Sequence, residues 1–350
     1  MEQMMRRLSK FVCLACVVVS FVWPVSAQSE TPTPSDPIPT VSKIAYTTWD
    51  EAAETYVLNV VNADGSNPLP LVIGRVLWAP AWSPDGRTLA FLGRASTGGR
   101  QYIYMIGADG SDLRVLPLPP PLSTIPEFVA WSPDGTQIIY GASASGPIRF
   151  IKYNLEDGQS EWLRFPDIAS GFIEPWIAWS PDGSQIAVHA HTPDNRFGQI
   201  YIADADGQNP VPFIALTPNG TPYSHATWSP DGTRMMLDVH VGLAITQLEG
   251  IAVANPDGSG LQTIVTPPPN YIQSLSWSPD GTQILFVATE MNVPTMPDNE
   301  LYVVDADGSN LRSLNIPGAV MSGTSWGLVP ADLTMPSEPV LLENAAKPPR

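Results

Sequence analysis

Trp277-Ser278-Pro279-Asp280-Gly281-Thr282-Gln283-Ile284-Leu285-Phe286-Val287-Ala288 is the stretch that decides the fold. Pro279 fixes its own φ and Gly281 supplies a left-handed backbone position, so Pro-Asp-Gly makes a tight turn. A short strand through Leu275 and Trp277 leads into that turn, and Gln283 to Ala288 leads out as an apolar run of strand length, which makes the pair a hairpin. Farther on, a long loop reaches Glu300, and Leu301 to Val304 reads as a third strand. Asp307-Gly308 then turns into an outer strand near Leu311 to Leu314. One four-stranded antiparallel sheet is too small to be stable alone, so its faces must be covered by neighbours.

The neighbours are in the same chain. Trp-Ser-Pro-Asp-Gly occurs five times, starting at Trp82, Trp131, Trp179, Trp228 and Trp277, and a decayed sixth copy starts at Trp326. The gaps are 49, 48, 49, 49 and 49 residues, the size of one four-stranded propeller blade. A second turn ending in Asp-Gly recurs in phase at Asp64, Asp109, Asp157, Asp206, Asp257 and Asp307. The two ends complement each other. Trp326 has a first strand and no second, whereas Lys43 to Thr48, Tyr56 to Val61 and Pro68 to Ile73 are three strands lacking a first. The reading is all-β: a six-bladed β-propeller of four-stranded antiparallel blades, its ring closed by the C-terminal strand joining three N-terminal strands.

Composition agrees. The 350 residues include 38 prolines and 27 glycines, and only 15% are charged, which suits short strands and tight turns rather than long helices. A net charge of −17 leaves no basic stripe to neutralise phosphates, so nucleic acid is excluded as a partner. At the N-terminus, Arg6, Arg7 and Lys10 precede an apolar run from Phe11 to Val22, and small residues follow at Ser26 and Ala27: the layout of a secretory signal peptide cleaved before Gln28. The alternatives are an uncleaved anchor and lipidation at Cys16, the latter disfavoured because Cys13 stands three residues before it in place of the usual leucine. Both cysteines, Cys13 and Cys16, lie inside this leader, so the mature chain would have neither disulfides nor thiol chemistry. The expected organisation is a signal peptide at 1–27, a Pro-rich linker at 28–40, the propeller at 41–328 and a tail at 329–350 that, like the linker, has too little apolar content to pack. Export to the periplasm or the cell exterior follows, with no stable membrane span after cleavage and a monomeric protein.

The Trp-Ser-Pro-Asp-Gly repeats, together with Asp-Ala-Asp-Gly at Asp204 to Gly207 and Asp305 to Gly308, resemble the TolB-type propeller over residues 41 to 328. That family includes propellers that work through protein contacts and propellers of exported peptidases and lyases, so the resemblance implies the fold without choosing a chemistry. The linker leaves no room for the N-terminal α/β domain of TolB itself, and no hydrolase domain is expected after the propeller.

Few residues point to catalysis. No Gly-x-Ser-x-Gly elbow, His-Glu-x-x-His pair or phosphate-binding loop occurs. Asp-x-Asp-Gly begins like a calcium loop but lacks the distal Glu, so the aspartates are expected to bond the backbone of their own turns. The uniform turns lie on one side of the ring. The other side carries the variable loops, Trp49 to Glu54, Arg94 to Arg100, Ser143 to Pro147, His191 to Gly198, Gly242 to Gly250 and Glu290 to Asn299, as binding loops on a rigid scaffold do. On that face the segments entering each first strand converge on the channel and place Trp78, Glu127, Glu174, His225, Gln273 and Ser322 at its mouth as candidate ligand-binding residues. All four histidines, His189, His191, His225 and His240, belong to the same face and are the candidate ligands of a divalent metal, a chemistry that some lyases of related propeller architecture use. Asn219-Gly220-Thr221 matches a glycosylation sequon. The favoured function is an exported scaffold that binds a protein or carbohydrate partner, with no cofactor. The alternative is an exported metal-dependent polysaccharide lyase or hydrolase.

Overall fold

The computed structural model describes residues 39–96, 99–118, 125–143, 148–165, 168, 172–191, 199–214, 223–240, 248–265, 270–290, 299–316 and 320–345. They form six sheets, one per repeat. Blades 1 to 5 begin with the innermost strands Val76–Trp82, Ile125–Trp131, Phe172–Trp179, Tyr223–Trp228 and Asn270–Trp277, and each holds four antiparallel strands. Blade 6 is built from both ends of the propeller: Val320–Pro330 pairs with Thr40–Asp50, which pairs with Thr55–Asn62 and then Leu69–Gly74. The closure expected from the sequence is therefore the one observed. No helix among the described residues is long and apolar enough to cross a membrane.

The repeated motif serves the ring twice. Within a blade, Ser180 Oγ donates to Asp182 Oδ1 at 2.6 Å and accepts the Gln185 N–H at 2.8 Å, while Asp182 Oδ1 also accepts the Ser184 N–H at 3.0 Å. Gly183 supplies the left-handed residue, φ 72°. The Ser-to-Asp bond recurs at Ser83, Ser132, Ser229 and Ser278. These accepted hydrogen bonds hold the Asp182 carboxyl below the usual carboxylate range; Ser180 contributes most. Between blades, the proline of one motif lies over the glycine of the next: a Cβ at Gly183 would stand 3.8 Å from Pro133 Cδ, and one at Gly281 would stand 3.4 Å from Pro230 Cδ. Two of the tryptophans bridge as well. Trp131 Nε1 donates to the Ala81 carbonyl at 3.1 Å and Trp277 Nε1 to the Thr227 carbonyl at 3.3 Å, each in the preceding blade.

The C-terminal segment differs from its expected linker character. Val340–Leu341 adds a parallel fifth strand to blade 6 along Leu69–Gly74. Pro336 covers Gly110, and Leu342, 1% exposed, sits against Gly74 and Gly93 at the seam between blades 6 and 1. Few apolar residues are needed to anchor such a segment when the receiving notch is lined by glycines, and the low apolar content of the tail hid this.

Candidate functional site

Each innermost strand pairs with its second strand through a register shift near the middle, between Trp78 and Ala81, Pro126 and Phe128, Ile173 and Ile177, Ser224 and Thr227, and Gln273 and Ser276, and in blade 6 between Tyr46 and Thr48 of the partner strand. Bulges of this kind re-aim side chains. Four of them place the residue three before the tryptophan at positive φ: Ala79 at 51°, His225 at 47°, Ser274 at 59° and Gly323 at 76°. Left-handed backbone comes at little cost to glycine and is uncommon for a β-carbon-bearing residue.

His225 is turned by its bulge onto the second strand of its own blade, Met235–His240. There its Nδ1 lies 2.7 Å from Asp238 Oδ2, with side-chain exposures of 14% and 6%. Asp238 is a carboxylate in a strand whose Met235, Met236, Leu237 and Val239 are buried. Counting from each repeat tryptophan, it occupies the tenth place, held by Leu92, Gly141 and Val287 in blades 1, 2 and 5 and by His189 in blade 3. Asp238 Oδ1 is buried and has no hydrogen-bond donor among the described residues. From blade 3, the rings of His189 and Trp176 approach His225 edge-on, with centroids at 6.2 Å and 5.6 Å. Two adjacent blades thus build one buried cluster of a carboxylate, two imidazoles and an indole. Such a cluster can accept a hydrogen bond, exchange a proton or hold a polar group against an aromatic edge.

The other expected mouth residues divide. Trp78 is partly buried and lies under the Arg94 guanidinium, 5.9 Å from carbon Cζ to ring centroid. Glu127 is partly buried at the start of the blade 2 innermost strand. The side chains of Glu174, Gln273, Ser322, His191 and His240 lie outside the described residues, as do the signal peptide and the sequon. Among the described residues no three His, Cys, Asp or Glu side chains come together as a metal site. The structure brings together His189 and His225, and adds Asp238 and Trp176, which the sequence reading missed. The signal for Asp238 was present: a carboxylate at a repeat position that holds leucine, glycine and valine in blades 1, 2 and 5. On the opposite face, clefts of about 490 Å³ and 750 Å³ run between blades 1 and 2 and across blades 2 to 4, walled by the recurring turns themselves, Pro84, Asp85, Pro133 and Asp134 in the first and Pro181 and Asp182 in the second.

Comparison with known proteins fits this geometry. The chain is 38% identical over 69 residues, 18% of its length, to the Tol-Pal system protein TolB of Coxiella burnetii (strain RSA 493 / Nine Mile phase I), a match spanning 15% of that relative. Among solved structures it resembles TolB from Acinetobacter baumannii at 19% identity and a TM-score of 0.64, covering 81% of this chain and 66% of that one. It also resembles a putative TolB from Agrobacterium tumefaciens at 17% identity and a TM-score of 0.56, covering 83% and 98%. The structural likenesses carry the fold alone. The family model of the TolB beta propeller domain matches residues 40–329, and the chain belongs to that family.

Proposed function

We propose that this chain is an exported TolB-like propeller that binds a protein partner at the channel mouth, with the His225–Asp238 pair as the centre of the contact. Export, to the periplasm or the cell exterior, rests on the leader of residues 1–27. A protein partner rests on the relationship to a Tol-Pal system protein. The rim residues Trp78, Glu127, Glu174, Gln273 and Ser322 would frame the contact.

One observation carries the reading. At a single spot the fold accepts an unfavourable choice that its sister blades avoid: a buried carboxylate with an unsatisfied oxygen, held against a histidine at φ 47°. An unpartnered buried polar atom costs about 1–3 kcal/mol, and local rules are broken chiefly at functional sites. Packing alone would be served by the leucine or valine found at the same place in blades 1 and 5.

A photo-crosslinking residue at Glu127 of the full chain, produced in the native cell, tests this. The expected result is a discrete protein adduct on mature chain beginning at Gln28, abolished by His225→Ala. No adduct from a folded chain would count against the proposal. So would stoichiometric transition metal in the purified protein that His225→Ala removes, which would favour the polysaccharide-cleaving alternative.

A further inference from the structure

Arg94 ends the second strand of blade 1, Thr88–Arg94, on the variable face. Its guanidinium lies over the Trp78 ring, and Nη2 donates to Gln101 Oε1 at 3.1 Å. Gln101, 5% exposed, is itself fixed, because its amide donates to the Pro126 carbonyl of blade 2. The guanidinium is therefore aimed by two neighbours, an indole and a carboxamide that is itself tied across the blade 1–2 seam. Its Nε is buried without an acceptor, and no carboxylate pairs with it among the described residues. In a chain with 34 carboxylates and only 17 lysines and arginines, a positioned arginine that no acid among the described residues neutralises is unexpected. Arginine binds carboxylates through parallel N–H donors, and partial burial strengthens the contact.

We infer that Arg94, held on Trp78 and Gln101, is a subsite for a carboxylate of the partner protein, an acidic side chain or a free C-terminus. In a six-membered ring blade 1 lies opposite blade 4, so this subsite and the His225–Asp238 pair would grip the partner from two sides of the mouth. A peptide carboxylate fits better than an acidic sugar. The guanidinium already covers an indole face on which a sugar ring would stack, and Gln101 is buried with its carboxamide bonded to Arg94 and the Pro126 carbonyl.

This subsite rests on the protein-binding reading, and its test is independent of the partner. The probes are N-acetyl-leucine, its amide N-acetyl-leucinamide, and galacturonic acid, each titrated into ¹⁵N-labelled full-length mature protein. The Trp78 indole resonance, assigned by its loss in Trp78→Phe, is the readout. The expected result is a saturable shift with N-acetyl-leucine and none with the amide. That shift should weaken at least about tenfold in Arg94→Gln, remain partly in Arg94→Lys, and be unchanged in Arg114→Gln. Equal response to acid and amide, persistence of the shift in a folded Arg94→Gln, or a stronger response to galacturonic acid would overturn the assignment. If the Glu127 adduct forms in the cell and Arg94→Gln neither reduces it nor loses any shift, this subsite fails while the binding reading stands.

Discussion

Trp326 Nε1 donates to Ser42 Oγ at 2.6 Å, bonding residues 284 positions apart across the line where the two ends of the propeller meet. Beside it Thr324 N–H donates to Ser274 Oγ at 2.7 Å and Trp82 N–H to Ser325 Oγ at 3.2 Å, so the closing strand is tied to blades 5 and 1 by hydroxyls that the regular copies largely lack. Gly327 stands where the other motifs carry serine because a Cβ there would lie 2.7 Å from Trp82 Cγ. With no disulfide expected in the mature chain, these contacts and strand pairing hold the ring.

Ser42→Ala should therefore cost about 1 kcal/mol, a net hydrogen bond, and lower the urea midpoint without changing the slope. Gly327→Ser, which restores the motif residue, should destabilise more than Ser42→Ala because Trp82 must move. Equilibrium urea unfolding of both variants measures this.

The C-terminal strap makes its own prediction. Leu342→Ala should cost about 2–5 kcal/mol, the usual range for a fully buried leucine, although the segment follows the last repeat. Thermal melting of that variant and of a chain ending at Ala331 should show comparable losses. Unchanged melting would mean that the strap contributes nothing.

Acid should loosen the turns. Asp182 is held below its ordinary value by hydrogen bonds from Ser180 and the Ser184 N–H. In Asp134 the bonds from Ser132 and Thr136 act against burial, the larger single influence, and together still bring the carboxyl down. A depressed folded-state value means stability that is fully present above the unfolded value, about 3.9, and is lost as pH falls through the lowered folded value. The melting temperature should thus be flat near neutrality and drop below about pH 4. Asp182→Asn should be less stable than wild type at pH 7 and should close the gap at pH 2.

Alkali acts through the buried tyrosines. Burial pushes the Tyr46 and Tyr104 hydroxyls up to about 12. Their unfolded value is about 10, so this contribution is intact below pH 10 and lost as pH rises towards 12. Absorbance at the tyrosinate band should show these two ionising only together with unfolding. Tyr46→Phe should shift the alkaline unfolding midpoint upward.

The fold was legible because its determinants are local and repeated: Pro-Asp-Gly dictates a turn wherever it stands, and a spacing near 49 residues dictates a blade. The site was only half legible. Offsets counted from the tryptophans placed Trp78, Glu127, Gln273 and Ser322 four residues before it, Glu174 five and His225 three. The bulge in each innermost strand decides which way such residues face, and no residue type announces a bulge that histidine, serine and alanine all occupy. Asp238 could have been found by aligning the second strands. Trp176 could not, because an indole at strand spacing reads as core. Leu342 was hidden because its partners are the absent side chains of Gly74 and Gly93.

The most direct test of the account is Asp238→Leu, which gives blade 4 the residue that blade 1 carries at the same place. If the His225–Asp238 pair is kept for binding, the variant should melt no lower than wild type, and even up to about 2–4 °C higher for each kcal/mol regained, while the Glu127 crosslinked adduct disappears. A melting temperature several degrees lower, or an adduct undiminished in the folded variant, would show instead that the pair holds the blade together and that the mouth binds its partner without it.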